Sequence, residues 1–359
     1  MRDSEKAVVI LPLLFALAAC ADSATTAGSN ESVEESPAIE SEETVTQPRG
    51  GALVEAEFSL VQDEPVISLG AEGEWDSGVL RFPYVLRHND RFHMFYEARL
   101  PFDPNENLPV AIGYASSEDG ISWVKSDLNP ILQGDGSGFD SASVSRPLVS
   151  VDDSGSWIMY YAGEGEANKV GVGLATSSSP TGPWERAEAP LIVDGPEGAW
   201  DDQMVLADQI IRSEVGYRMY YSGREASGRP AMIGLAMSED GLTWDKFNDP
   251  TNDDTSVLFA ESDPVLPSGR GWDSGATWTP SILEHENQWT MVYNAFGSLG
   301  AAVSEDGIRW EKYEGNPILR NSSFFHPFLL KNDDGSYWIY FRDLSDESIY
   351  LMAGTLAFE

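Results

Sequence analysis

The sequence predicts an all-β fold, a five-bladed β-propeller in a single domain over residues 52–359. Three observations predict it. A closing motif of proline and two aliphatic residues recurs at Pro65, Pro130, Pro190, Pro264 and Pro317. An aromatic–Asp pair follows four of the five, as Trp75-Asp76, Phe139-Asp140, Trp200-Asp201 and Trp272-Asp273. A Ser-x-Asp-Gly-x-x-Trp turn ends at Trp123, Trp244 and Trp310, with a degenerate copy from Ser177 to Trp184. Self-similarity on this scale marks a repeat architecture. Between the marks lie short aromatic-rich runs bounded by turn residues, such as Phe92 to Tyr96 after Asn89-Asp90, which read as strands and hairpins. About four strands per unit make a propeller blade. The competing reading, a β-sandwich, leaves the repeats as coincidence.

The elements follow in order. Residues 1–20 resemble a lipoprotein signal: Arg2 and Lys6 precede the apolar run Ala7 to Ala19, and Leu17-Ala18-Ala19-Cys20 has the form of a lipobox whose Cys20 is lipidated. The run is too short to span a bilayer, which takes about 20 residues. Residues 21–51 are rich in Ser, Thr, Ala and Glu without apolar periodicity, as expected of an acidic disordered tether. The blades follow. The stretch from 271 to 319 is the most complete copy. The last copy has only three strand-like runs, at 324–331, 337–341 and 349–356. The first closing motif, 57–69, has no blade before it, so the N-terminal strand is expected to complete the last blade and close the ring.

The chain of 359 residues carries a formal charge of −37, with 42% hydrophobic and 11% aromatic residues. That charge repels phosphate backbones and excludes nucleic acid as a partner. One cysteine, Cys20, allows no internal disulfide. No phosphate-cradling glycine loop, His-Glu-x-x-His or Gly-x-Ser-x-Gly occurs.

Five blades with an x-Pro pair opening the inner strands, as Phe82-Pro83, Arg146-Pro147, Thr279-Pro280 and His326-Pro327, resemble the arabinanase/levansucrase/invertase superfamily, which includes glycoside hydrolase families 43 and 32. The resemblance implies a carbohydrate bound at one end of the central axis, hydrolysis by paired carboxylates, and a structural calcium at the axis with His326 near it. Calcium prefers oxygen ligands, so His326 would act through water; a satisfied core histidine is the other reading. The catalytic positions of family 43 do not carry over. Phe82 and Arg146 stand where carboxylates are expected, and Leu206 where a Glu is expected. A sialidase-like propeller is a third reading, but its Asp box has an extra residue and its fold six blades.

Subtracting what every blade repeats leaves the candidates. The recurrent Asp76, Asp140, Asp201 and Asp273 are expected to be structural, and the Ser-x-Asp-Gly turns likewise. Asp208 replaces the proline of the other inner strands, and a buried acid needs a role or a partner. Asp208, Glu97 and Asp343 are the catalytic candidates. Arg81, Phe82, Arg99, Arg146, Asp202, Trp278, Asn294 and Arg342 are the substrate-binding candidates, the arginines as hydrogen-bonding clamps and Phe82 and Trp278 as platforms for a sugar face. The plainer alternative is a buried ion-pair network such as Arg146 with Asp208. The function expected is an extracytoplasmic glycoside hydrolase-like protein, or a non-catalytic sugar-binding lipoprotein on the same scaffold. It would be a monomer meeting the membrane through its lipid anchor alone, in a bacterial cell envelope.

Overall fold

A computed structural model describes residues 53–103, 108–165, 170–213, 216–251, 256–285, 288–320 and 323–358. The signal segment, Cys20 and the acidic tether lie outside them. The described chain forms five antiparallel sheets, one per blade. Blade one has its inner, second and third strands at Val79–His88, Arg91–Arg99 and Ala111–Ser117, and blade two at Ser143–Val151, Trp157–Glu164 and Val170–Ser177. Blade three runs through Met204–Ser213, Gly216–Arg224 and Met232–Ser238, and blade four through Trp278–His285, Gln288–Ala295 and Ser298–Ser304. Blade five uses Phe324–Lys331, Tyr337–Asp343 and Ile349–Phe358. Its fourth strand is Leu53–Leu60, antiparallel to Ile349–Phe358 from Leu53↔Phe358 to Leu60↔Met352. The N-terminal strand therefore closes the ring, as expected.

The closing motif returns each chain to its third strand. Leu132 bridges Ile112, Ile192 pairs with Val172, Leu266 with Ile233, Leu319 with Leu299 and Ile67 with Ile349. Five clusters of buried residues form the core, each shared by two neighbouring blades. Blades are thus covered on both faces, which is why His93 to Ala98 is an unbroken buried run rather than an alternating one.

The recurrent Asp builds a clamp inside each of four blades. Asp76 pairs with Lys125 at 2.6 Å, Asp140 with Arg186 at 2.9 Å, Asp201 with Lys246 at 2.7 Å and Asp273 with Lys312 at 2.6 Å. The neighbouring aromatic stacks on a second-strand tyrosine, for example Trp200 on Tyr221 at 5.6 Å. The tyrosine ring lies over a third-strand glycine; a Cβ at Gly113, Gly173, Gly234 or Gly300 would meet it within 2.7 Å. The structural expectation for these aspartates holds.

The Ser-x-Asp-Gly turns join blades. Tyr340 of blade five donates its hydroxyl to Gly120 O of blade one at 2.7 Å, Tyr160 to Gly241 O at 3.0 Å, and Tyr220 to Gly307 O at 2.7 Å. Blade one faces the degenerate turn, and there Phe95 takes the tyrosine's register position and packs edge-on to Trp184 at 6.4 Å. The hydroxyl is missing where the turn that would accept it is missing.

Candidate functional site at the axial mouth

Four inner strands open with a residue in the left-handed region directly before proline: Phe82 at φ 50°, Arg146 at 51°, Thr279 at 46° and His326 at 54°. This conformation costs a non-glycine residue on the order of 1–2 kcal/mol. It recurs in four blades at one register position, where two residues oppose one on the second strand. Blade three places Ala207-Asp208 there, and Ala207 keeps regular pairing with Tyr221. The result is a ring of unlike residues around the axis: Phe82, Arg146, Asp208, Thr279 and His326, with the prolines beside them.

The ring is filled. The Phe82 and His326 rings stack at 3.7 Å and 24°, and the Arg146 guanidinium carbon lies 4.0 Å from the Phe82 centroid. Two planar groups this close cannot share one face, so both faces of Phe82 are covered. Phe82 is therefore no sugar platform, and that expectation is corrected: it is the middle of an axial plug. The remaining cavity of about 20 Å3 has room for about one water molecule.

Polar contacts run through four blades. Arg146 forms an ion pair with Asp208, the pairing offered as the plainer alternative; their side chains are 11% and 3% exposed. Ser222 donates its hydroxyl to Asp208 and accepts the Thr279 main-chain N–H at 2.9 Å. Glu97 pairs with Arg81 and accepts the Arg146 main-chain N–H at 3.3 Å. Burial raises the Asp208 carboxyl above its ordinary range, with Arg146 opposing the rise. Burial first, then Arg342, Arg81 and Arg146, hold His326 well below the usual imidazole value.

The ends of the second strands frame the mouth above the plug. Glu97, Ser222, Asn294 and Arg342 occupy one register position, opposite Arg81, Leu206, Trp278 and Phe325. Arg342 pairs with Glu347, whose carbonyl accepts the Leu80 N–H at 2.9 Å and so docks this loop on blade one. Trp278 donates its indole N–H to Asn294 Oδ1 at 2.8 Å, and the Asn294 amide donates to Phe324 O at 2.8 Å. Arg99 lies 5.8 Å from the Phe102 ring centroid. Phe102 and Phe296 are 47% and 56% exposed, and Phe296 sits 6.4 Å from Trp278.

The sequence-predicted set is thus divided. Glu97, Asp208, Arg81, Arg146, Arg99, Arg342, Trp278, Asn294, Phe82 and His326 gather at the axis or its mouth. Asp202 and Asp343 make contacts within the chain's own loops: Asp202 accepts the Gly198 and Ala226 N–H groups, each at 2.7 Å, and Asp343 Oδ1 accepts Ser345 N–H at 2.8 Å. Sequence reasoning missed Ser222, Glu347, Phe102 and Phe296. Counting one residue past the recurrent second-strand aromatic finds Ser222, as it found Glu97, Asn294 and Arg342.

The surroundings of His326 do not fit a cation. Its ring is stacked on Phe82 and ringed by three guanidiniums, and among the described residues no three His, Cys, Asp or Glu converge. A groove of about 550 Å3 runs along blade two beside Phe139, Pro190 and Val193, with Asp194 the one titratable side chain among the described residues that line it. It is larger than the axial cavity but lacks convergent polar chemistry.

No family model matches the chain. Uncharacterised proteins from two strains of Mycobacterium tuberculosis are 30% identical over 186 residues, 52% of this chain and 58% of their own length. The match thus spans little more than half of these curated relatives. Among solved structures, one from a study of GH130 mannoside phosphorylases and of hydrolases that target β-1,2-mannosidic linkages in Candida mannan superimposes with a TM-score of 0.65 at 17% identity, covering 86% of this chain and 95% of that one. A glycosyl hydrolase from Bacteroides ovatus gives 0.63 at 17%, covering 85% and 96%. A thermostable family-43 glycoside hydrolase gives 0.54 at 20%, covering 81% and 92%. The chain has the five-bladed propeller fold of these glycoside hydrolases.

Proposed function

We propose that this protein binds carbohydrate at the axial mouth, presented from a lipid anchor at Cys20 on a bacterial envelope. One observation carries the binding reading. Exposed aromatic faces, Phe296 beside Trp278 and Phe102 beside Arg99, stand at the same end of the propeller as a set of hydrogen-bonding side chains. A sugar offers a ring face with apolar C–H groups and a rim of hydroxyls, and the mouth offers a partner for each. The likeness of fold to glycoside hydrolases supports this by analogy.

Binding is favoured over hydrolysis by the state of the carboxylates. Glu97, Asp208 and Glu347 are each in contact with a guanidinium. A general acid must hold a proton at rest, and an adjacent Arg favours the ionised form. One observation keeps hydrolysis as a second reading: burial raises the Asp208 carboxyl, the tuning a proton donor needs. In that reaction the Asp208 proton passes to the glycosidic oxygen as the C1–O bond breaks. Glu97 takes a proton from the water whose oxygen bonds to C1, and a reducing sugar is released. The purified protein is screened on a glycan array and then incubated with the glycan it retains. The binding reading predicts retention without new reducing ends. Release of reducing sugar, abolished in Asp208→Asn and Glu97→Gln at unchanged Tm, establishes hydrolysis instead.

A further inference from the structure

We infer that the ligand of the mouth carries an oxyanion, a carboxylate or a phosphate group, and that Arg99 is the side chain that meets it. The inference rests on the mouth being the carbohydrate site. Arg81, Arg146 and Arg342 each have a carboxylate partner in the chain. Arg99 has none among the described residues, although it lies within the field of Arg81, Glu97 and Glu347. It stands two residues past Glu97, at the end of the second strand of blade one, with the Phe102 ring on its flank.

The hydrogen-bond inventory points the same way. Arg81 Nε, Arg99 Nε, Thr279 Oγ1 and His326 Nδ1 are buried without a partner among the described residues. A buried donor without an acceptor is destabilising, and native structures leave few of them. The two guanidinium Nε–H groups are donors in every state, and that of Arg99, at the end of the second strand, fits a ligand that brings an oxygen acceptor. Burial first, then repulsion from Arg81, lowers the Arg99 value, so a neighbouring negative charge would relieve an unfavourable state. In a chain of net charge −37, a guanidinium with no carboxylate partner among the described residues, in the field of Arg81, is not the general character of the surface. The planar fork of Arg matches the two oxygens of a carboxylate or phosphate.

The test is calorimetric, with three matched probe sets: uronic-acid oligosaccharides, the same oligosaccharides with the carboxyl reduced to the alcohol, and phosphorylated oligosaccharides. The inference predicts that one acidic set binds at least about 10-fold more tightly than its neutral counterpart. Whether the uronate or the phosphate set does so identifies the source of the anion. Arg99→Met should erase that preference, bringing the affinity for the acidic set down to that for its neutral counterpart, with Tm unchanged. Equal binding of acidic and neutral sets, unaltered in Arg99→Met, overturns the inference and leaves the carbohydrate reading standing. Binding of none of the three overturns the carbohydrate reading and this inference with it.

Discussion

Replacing Arg146 with Met tests whether the axis is held by charge. The side chain is 11% exposed and its partner Asp208 is 3% exposed, so the substitution leaves a carboxylate buried without its cation. Breaking a buried pair from one side costs about 3–5 kcal/mol. Loss of the guanidinium from its place 4.0 Å from the Phe82 centroid adds roughly 0.5–2 kcal/mol. Ser222 stays to donate to Asp208 and returns part of the loss. The net expectation is about 4 kcal/mol, which for a domain of this size is a fall in Tm of about 6 °C. The double variant Arg146→Met/Asp208→Leu removes both charges and should recover at least half of the fall, because the desolvation cost of both ions goes with them. The assay is thermal unfolding followed by near-UV circular dichroism for wild type, both single variants and the double. Additive losses, or an Arg146→Met variant within about 1 °C of wild type, would refute the reasoning.

The remaining expectations are narrower. Tyr220→Phe removes a hydroxyl donated to Gly307 O across the interface of blades three and four and should cost about 1 kcal/mol. Phe95→Tyr, facing the degenerate turn, should give no matching gain; a gain of that size would show that the turn does accept a hydroxyl. His326 has a folded-state value well below its unfolded value of 6.5. Its neutral form therefore contributes stability that is present above about pH 6.5 and is lost as pH falls below it, as the unfolded chain takes up the proton. Across pH 7.5 to 5, Tm of His326→Gln should fall less than that of wild type; parallel curves would contradict the burial argument.

What the sequence made legible follows from repetition. The aromatic–Asp pairs and Ser-x-Asp-Gly turns recur because each solves the same local problem in every blade, so their roles as clamp and inter-blade staple could be read as structural and the blades counted. The unlike residues stood out for the same reason: Asp208 where proline was expected, Glu97 and Asn294 after the second strands. Orientation was not legible. Nothing in the Phe82-Pro83 dipeptide announces a left-handed φ, and without it a phenyl ring at the mouth reads as a sugar platform rather than a wedge between His326 and Arg146. The loop contacts of Asp202 and Asp343 were not legible, because an acid that ties a loop through backbone N–H groups looks, in sequence, the same as one that faces a ligand. The Arg146–Asp208 pair was foreseeable from charge, since a buried acid calls for a cation. Phe102 and Phe296 were missed because single aromatics in loops carry no periodic signal.

Trp278 tests the proposed ligand site at the mouth most directly. Its indole packs beside the exposed Phe296 and donates to Asn294. The measurement is the Kd of the array-selected glycan for wild type and Trp278→Ala by isothermal titration. The predicted result is affinity lowered at least 10-fold in a variant that still unfolds cooperatively. Equal Kd values would place the ligand elsewhere on the propeller and contradict the account.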